Sequence, residues 1–119
     1  MMKVCSYLYN SILENGGVTY NVYRNQKTIS GYATAMNCTN ERIIPFDKFN
    51  EREIFNYIKD NSNTLKHDKI NFGAWIDNDK VYFDLSVVND NFEETKLMAE
   101  KYNQLAFFDL NSNETHYLN

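Results

Sequence analysis

The strongest constraint on the fold lies in residues 71–91, NFGAWIDNDKVYFDLSVVNDN. Ile70, Phe72, Ala74 and Ile76 alternate with Asn71, Gly73, Trp75 and Asp77. After a break, Val81, Phe83, Leu85 and Val87 alternate with Lys80, Tyr82, Asp84 and Ser86. Side chains on a strand point to opposite faces with period two. The segment therefore reads as a β-hairpin with one apolar face that must pack on a core. A two-residue turn at Asn78-Asp79 would set Trp75 opposite Tyr82 and Gly73 opposite Asp84. The second face then gathers two large rings, a carboxylate, a hydroxyl and a glycine gap, the chemistry of a small-molecule pocket or a partner surface.

At 119 residues the chain has room for a single core, so residues 1–119 are expected to form one domain. With 43% hydrophobic and 15% aromatic residues it is too apolar for disorder. A net charge of -4 makes it a poor binder of nucleic acid polymers, which need a basic stripe. No leader peptide is expected at the N-terminus, and no apolar run approaches the roughly 20 residues of a membrane span. The expectation is a soluble intracellular chain with no membrane association. Cys5 and Cys38 lie far apart in sequence, outside any metal-ligand spacing, and read as two reduced thiols.

The rest of the chain orders itself around the hairpin. Residues 3–13 are ambiguous between a strand and a short helix. Gly16-Gly17 breaks the chain. Residues 18–24 alternate as a strand, turn at Asn25-Gln26-Lys27, and return as a second strand over 28–37. A polar turn at 37–40 leads to a third strand over 41–46. Asn50 with Glu53 opens a helix bearing Ile54, Phe55 and Ile58, which should stop or fray at 60–63. Asn91 with Glu94 opens a second helix, with Phe92, Thr95, Ala99 and Tyr102 on one face. Glu93 and Glu94 in its first turn and Lys101 near its end suit the helix dipole, and Asn103 suits a left-handed C-terminal position. Residues 105–110 read as a buried strand, and residues 116–118 as a further edge pair. The fold class is α+β: a mostly antiparallel β-sheet in the order β-β-β-α-β-β-α-β, with two helices packed on one face. The other face is left to solvent or to a second copy of the chain.

Catalytic signatures are weak. Gly16-Gly17 lacks the lysine and hydroxyl of a phosphate loop. His67, His116 and the distant cysteines form no metal-ligand set, so neither metal nor cofactor is expected. A cysteine–histidine pair would have to be assembled by folding, and inert buried thiols with surface histidines are the simpler reading. Asp77 and Asp84 could pair for acid–base work, but Asp77 belongs to the turn. Nothing in these residues demands an enzyme, and a small hydrolase acting on a nucleotide signal stays open beside a binding protein.

Candidate ligand-binding residues follow from residue chemistry. Arg24 ends the first strand, where its planar fork could match phosphate oxygens or simply be solvated. Tyr23 and Tyr32 should share a strand face with Asn21 and Ser30. Trp75 and Tyr82 offer flat walls for stacking, or packing against a partner. Asp84, in an otherwise apolar strand, needs a donor. Asn89 and Asn103 flank the second helix. Gln104, between that helix and the last strand, could read a base or amide edge.

The run GG-x-TY (16–20), SGY (30–32), YIKDN (57–61), FGAWID…KVYFDLS and NQLAFFDL (103–110) resembles the Tad1-type anti-Thoeris phage proteins. The likeness covers nearly all of the chain from Gly16 onward, in short pieces whose order and spacing carry it. It implies a non-enzymatic sponge acting in the host bacterial cytoplasm. Such proteins sequester a cyclic ADP-ribose isomer (gcADPR) made from NAD by bacterial TIR-domain enzymes, and so silence Thoeris immune signalling. It also implies a homodimer with pockets at the interface, in some members a hexamer, and in some a separate site for cyclic oligonucleotides. In many members of that family a basic residue precedes the asparagine after the VYFDLS strand. Here that position is Val88, before Asn89, so phosphate contact would fall to Arg24 or Arg42. The alternative expectation, from the exposed rings, is a phage protein that inhibits a bacterial defence enzyme by direct contact.

Overall fold

The computed structural model describes residues 2–36 and 40–118. The chain runs α1 (Met2–Asn15), β1 (Gly17–Asn21), β2 (Gln26–Lys27), β3 (Tyr32–Ala35), β4 (Arg42–Pro45), α2 (Glu51–Asp60), α3 (Ser62–Leu65), β5 (Ile70–Asp77), β6 (Lys80–Asn89), α4 (Phe92–Lys101), β7 (Ala106–Asp109) and β8 (Glu114–Tyr117). It is an α+β fold on one eight-stranded sheet, with every strand pair antiparallel. Strand order is β2-β1-β5-β6-β3-β7-β8, with β4 paired to β6 off this path.

The long strand β6 organises the sheet. One edge is taken by β5, from Ile70↔Val87 to Asp77↔Lys80. The other edge is shared in tandem: β4 pairs with Lys80 to Phe83, and β3 pairs with Ser86 to Asn89. Pro45 is tolerated because, among the described residues, β4 has no strand on its outer side, where a ladder donor would be missed. The expected hairpin turn is in place, with Asn78 at φ 58.

All helices lie on one face. Phe72 and Phe83, which no solvent reaches, meet Tyr57 of α2 at ring distances of 5.8 and 5.4 Å. Cys5, Leu8 and Ile12 of α1 and Leu65 of α3 join the same core. Tyr32 stands in register with Asn89, two residues beyond Val87 and hence on the Phe83 side. It touches Phe92 of α4, which places that helix on the same face. Both expected capping asparagines accept as foreseen: Asn50 from the Glu53 N–H at 3.1 Å and Asn91 from the Glu94 N–H at 2.9 Å.

Several expectations are corrected. The fold class holds, but the described residues form four α-helices rather than two. Residues 3–13 belong to a 14-residue helix, α1. Its signal, Cys5-Leu8-Ile12 at spacings of three and four, is hidden by Tyr7 and Tyr9 beside Leu8. The first strand ends at Asn21, and the turn spans 22–25, so β2 is only two residues long. Thr28 does not begin a strand; β3 starts at Tyr32 and pairs with β6, not β1. The helix opened by Asn50 stops at Asp60, as expected, but a short further helix, α3, begins at Ser62. Within 105–110 only Phe107 is buried, and Leu105 is 81% exposed. The turn expected at 37–40 and Cys38 fall largely outside the described residues.

Candidate functional site

The face without helices carries a ladder of cross-strand rows. β5, β6 and their neighbours align Gly17, Trp75, Tyr82 and Ile43 in one row. Thr19, Gly73 and Asp84 form the next, and Asn71, Ser86 and Ala35 the one after. Trp75 and Tyr82 stack with ring centroids 4.1 Å apart and planes within 7°. Trp75 is 41% exposed and Ile43 48%, so this row presents apolar surface to solvent, with one face of each ring covered by the other.

Asp84 sits beside that row, half-buried. Its carboxylate occupies the space a side chain at position 73 would fill: a Cβ on Gly73 would collide with Oδ1 and lie 3.4 Å from Cγ. Loss of hydration raises its pKa to about 6, opposed in part by a hydrogen bond donated by the Trp75 indole, and Glu41 adds a further upward push. The indole that lowers the Asp84 pKa is also one of the two stacking rings. At neutral pH the group is a poorly hydrated anion with spare lone pairs next to an aromatic wall. Such an arrangement can accept hydrogen bonds from hydroxyl or amino groups of a ligand stacked on the rings.

The other sequence candidates lie elsewhere. Arg24, in the β1–β2 turn, forms an ion pair with Asp68. It lines a polar cleft together with Asn89, Asn21 and Asn71. Asn71 stands four residues from Trp75 along β5, so this cleft opens roughly 13 Å from the aromatic row. Asn89 is tied down, accepting from the Asn91 N–H at 2.8 Å and donating to Glu94 at 3.2 Å. Tyr32 does not share a face with Tyr23; it packs edge-on against Phe92 and Phe107 on the helix side, while Tyr23 is an exposed turn residue. Asn103 takes φ 56 after α4, as its C-terminal position suggested. Gln104 donates to the Met36 carbonyl at 3.3 Å. Of the eight candidates, then, Trp75, Tyr82 and Asp84 come together, and Arg24 and Asn89 meet at a second place.

Two features were illegible in the sequence. Ile43 extends the aromatic row only because β4 docks on β6. The cleft forms because residues 28–31 carry the chain from β2 across to β3, and no local pattern marks that crossing. Among the described residues, no group of three His, Cys, Asp or Glu side chains could hold a metal ion. Cys5 is buried in α1, and burial pushes its thiol pKa up, away from the reactive thiolate. His116 packs on Phe107 and lies 3.8 Å from Asp109. Among the described residues no helix is long and apolar enough to cross a membrane. Comparison with protein-family models, with characterised proteins and with solved structures returns no match for this chain.

Proposed function

We propose that this chain is a phage anti-defence protein that sequesters a cyclic ADP-ribose isomer made by bacterial TIR-domain enzymes, holding it without cleaving it. The sequence resemblance points to that ligand class. The observation that carries the reading is the solvent-facing Trp75–Tyr82 stack beside the dehydrated Asp84 carboxylate. An adenine needs a flat wall, and ribose hydroxyls need an acceptor; the row offers both. Useful capture at signalling concentrations demands nanomolar affinity, about -12 kcal/mol. A ligand held that tightly must be nearly enclosed. The open sheet face would close over it in a homodimer, and a hexamer would repeat the same closure.

The test is capture and release. The protein is mixed with gcADPR, separated from free ligand and heat-denatured, and the released small molecules are identified. Intact gcADPR is the expected result. Altered ligand would make the protein an enzyme. No uptake would favour the alternative, in which the exposed aromatic row docks directly on a defence enzyme. Trp75→Ala should weaken capture by about 1–3 kcal/mol, the usual worth of one base–aromatic stack. Unchanged uptake in folded Trp75→Ala protein would remove the ring from the site.

A further inference from the structure

We propose that the cleft at the far end of the helix-free face is a second binding site, built for an uncharged, hydroxyl-rich ligand such as a free sugar. The half-open cleft measures about 570 Å³, within the usual range for small-molecule sites. Its roof is the crossing 28–31. Thr28 anchors the crossing at one end through its N–H to the Thr19 carbonyl at 2.9 Å and its hydroxyl to Asn71 Oδ1 at 2.5 Å. Gly31 anchors the other end, its carbonyl accepting from the Leu110 N–H at 2.9 Å. Gly31 has φ +94, and a side chain there would press on Val88 at 3.1 Å and the Asn89 carbonyl at 3.2 Å. Glycine lets the crossing lie close to β6.

The walls are held by a buried layer. Asn21, only 5% exposed, donates to the Asp68 carbonyl at 2.6 Å and accepts from the Arg24 N–H at 2.8 Å. One carboxamide thereby fixes both partners of the Arg24–Asp68 ion pair. The pair uses Arg24 Nε and Asp68 Oδ1, so the two terminal guanidinium nitrogens and Asp68 Oδ2 remain to meet a ligand. A donor edge beside an acceptor oxygen matches a vicinal diol, in which each hydroxyl both gives and takes a hydrogen bond. Ser30 and Gln26 add neutral polar groups.

Other ligand classes fit less well. A phosphate would face Asp68 and Asp90, and a cation would face Arg24, Lys27 and Lys69. A free base would find no aromatic ring, since none lines the cleft. With three cations and two carboxylates in the lining, an ion of either sign meets like charge, whereas hydroxyl groups find both donors and acceptors. This site stands apart from the Trp75 row in both position and chemistry, so it does not depend on the cyclic nucleotide reading.

The test is a titration of ¹⁵N-labelled protein with D-ribose and D-glucose, and separately with inorganic phosphate, followed by amide shifts. Saturable movement of the Thr28, Ser30 and Asn71 amides with a sugar, with the Trp75 indole N–H cross-peak still, is expected. Arg24→Gln, a change at an exposed side chain, should then weaken sugar binding by about tenfold or more, and Ser30→Ala by less. Three results would overturn the proposal: no saturable shift with either sugar, phosphate moving these amides while sugars do not, or a sugar response confined to the Trp75 indole. Full sugar affinity in folded Arg24→Gln would do the same.

Discussion

Asp84→Asn should stabilise the protein at neutral pH, and the gain should vanish in acid. The folded pKa is about 6, against an ordinary 3.8 for aspartate. The folded chain therefore holds this proton more tightly than the unfolded chain. Stability from this group is greatest below pH 3.8 and is lost as pH rises through 6, the reverse of a salt-bridged aspartate. A difference of roughly two pH units corresponds to about 3 kcal/mol at most, and the residue's partial exposure lowers this to about 1–2 kcal/mol. Asparagine keeps the shape that fills the Gly73 gap and keeps an oxygen for the Trp75 indole. At pH 7.5 the variant should unfold about 1–2 kcal/mol higher, which for a domain this size means roughly 3–10 °C in Tm. The chain has one tryptophan, and it is the ring that touches Asp84, so urea unfolding followed by Trp75 emission reports both stability and the local contact. Comparing wild type with Asp84→Asn at each pH cancels the other titrating groups, among them Asp68 and Asp109, whose pKa values are lowered. A variant no more stable than wild type at pH 7.5, or a gap that persists at pH 4, would refute the assignment of Asp84 as a destabilised anion.

The other predictions concern the two faces of the same ribbon. Phe83→Ala should cost about 3–5 kcal/mol, because the ring is wholly buried against Phe49, Tyr57 and Phe72 and its loss leaves a cavity; an unchanged urea midpoint would mean the faces are reversed. Gly73→Ala should force the Asp84 carboxylate aside and break its bond from the indole. Overpacking of about 1–3 kcal/mol, offset by up to about 1 kcal/mol from a stiffer unfolded chain, leaves a net loss of about 0–3 kcal/mol with a shifted Trp75 emission. Wild-type stability and emission in that variant would show that the gap at position 73 is not needed.

The central ribbon was legible from residues alone because period-two alternation is a local property of an extended chain. Which residues face the core, the turn at Asn78-Asp79, and the pairings Trp75↔Tyr82 and Gly73↔Asp84 all follow from counting along it. The caps of α2 and α4 were equally readable, since a capping asparagine and the N–H it accepts from lie three residues apart. Helix α1 was not, because an aromatic pair blurs its apolar stripe. The fate of residues 28–37 was not legible either. Their β-forming composition fits any strand, and only the sheet decides that the chain leaves the β1 edge, crosses the ribbon and pairs with β6.

That crossing also decides the candidate sites. Sequence chemistry named Arg24, Tyr32, Trp75, Tyr82, Asp84, Asn89, Asn103 and Gln104, but chemistry alone has no distances. Tertiary structure set Trp75, Tyr82 and Asp84 in adjacent rows, moved Arg24 and Asn89 to a separate cleft, and turned Tyr32 toward Phe92 and Phe107. Alternation along one hairpin is written in consecutive residues. Which strand lies beside it is settled by contacts between segments tens of residues apart, whose competition no local pattern records.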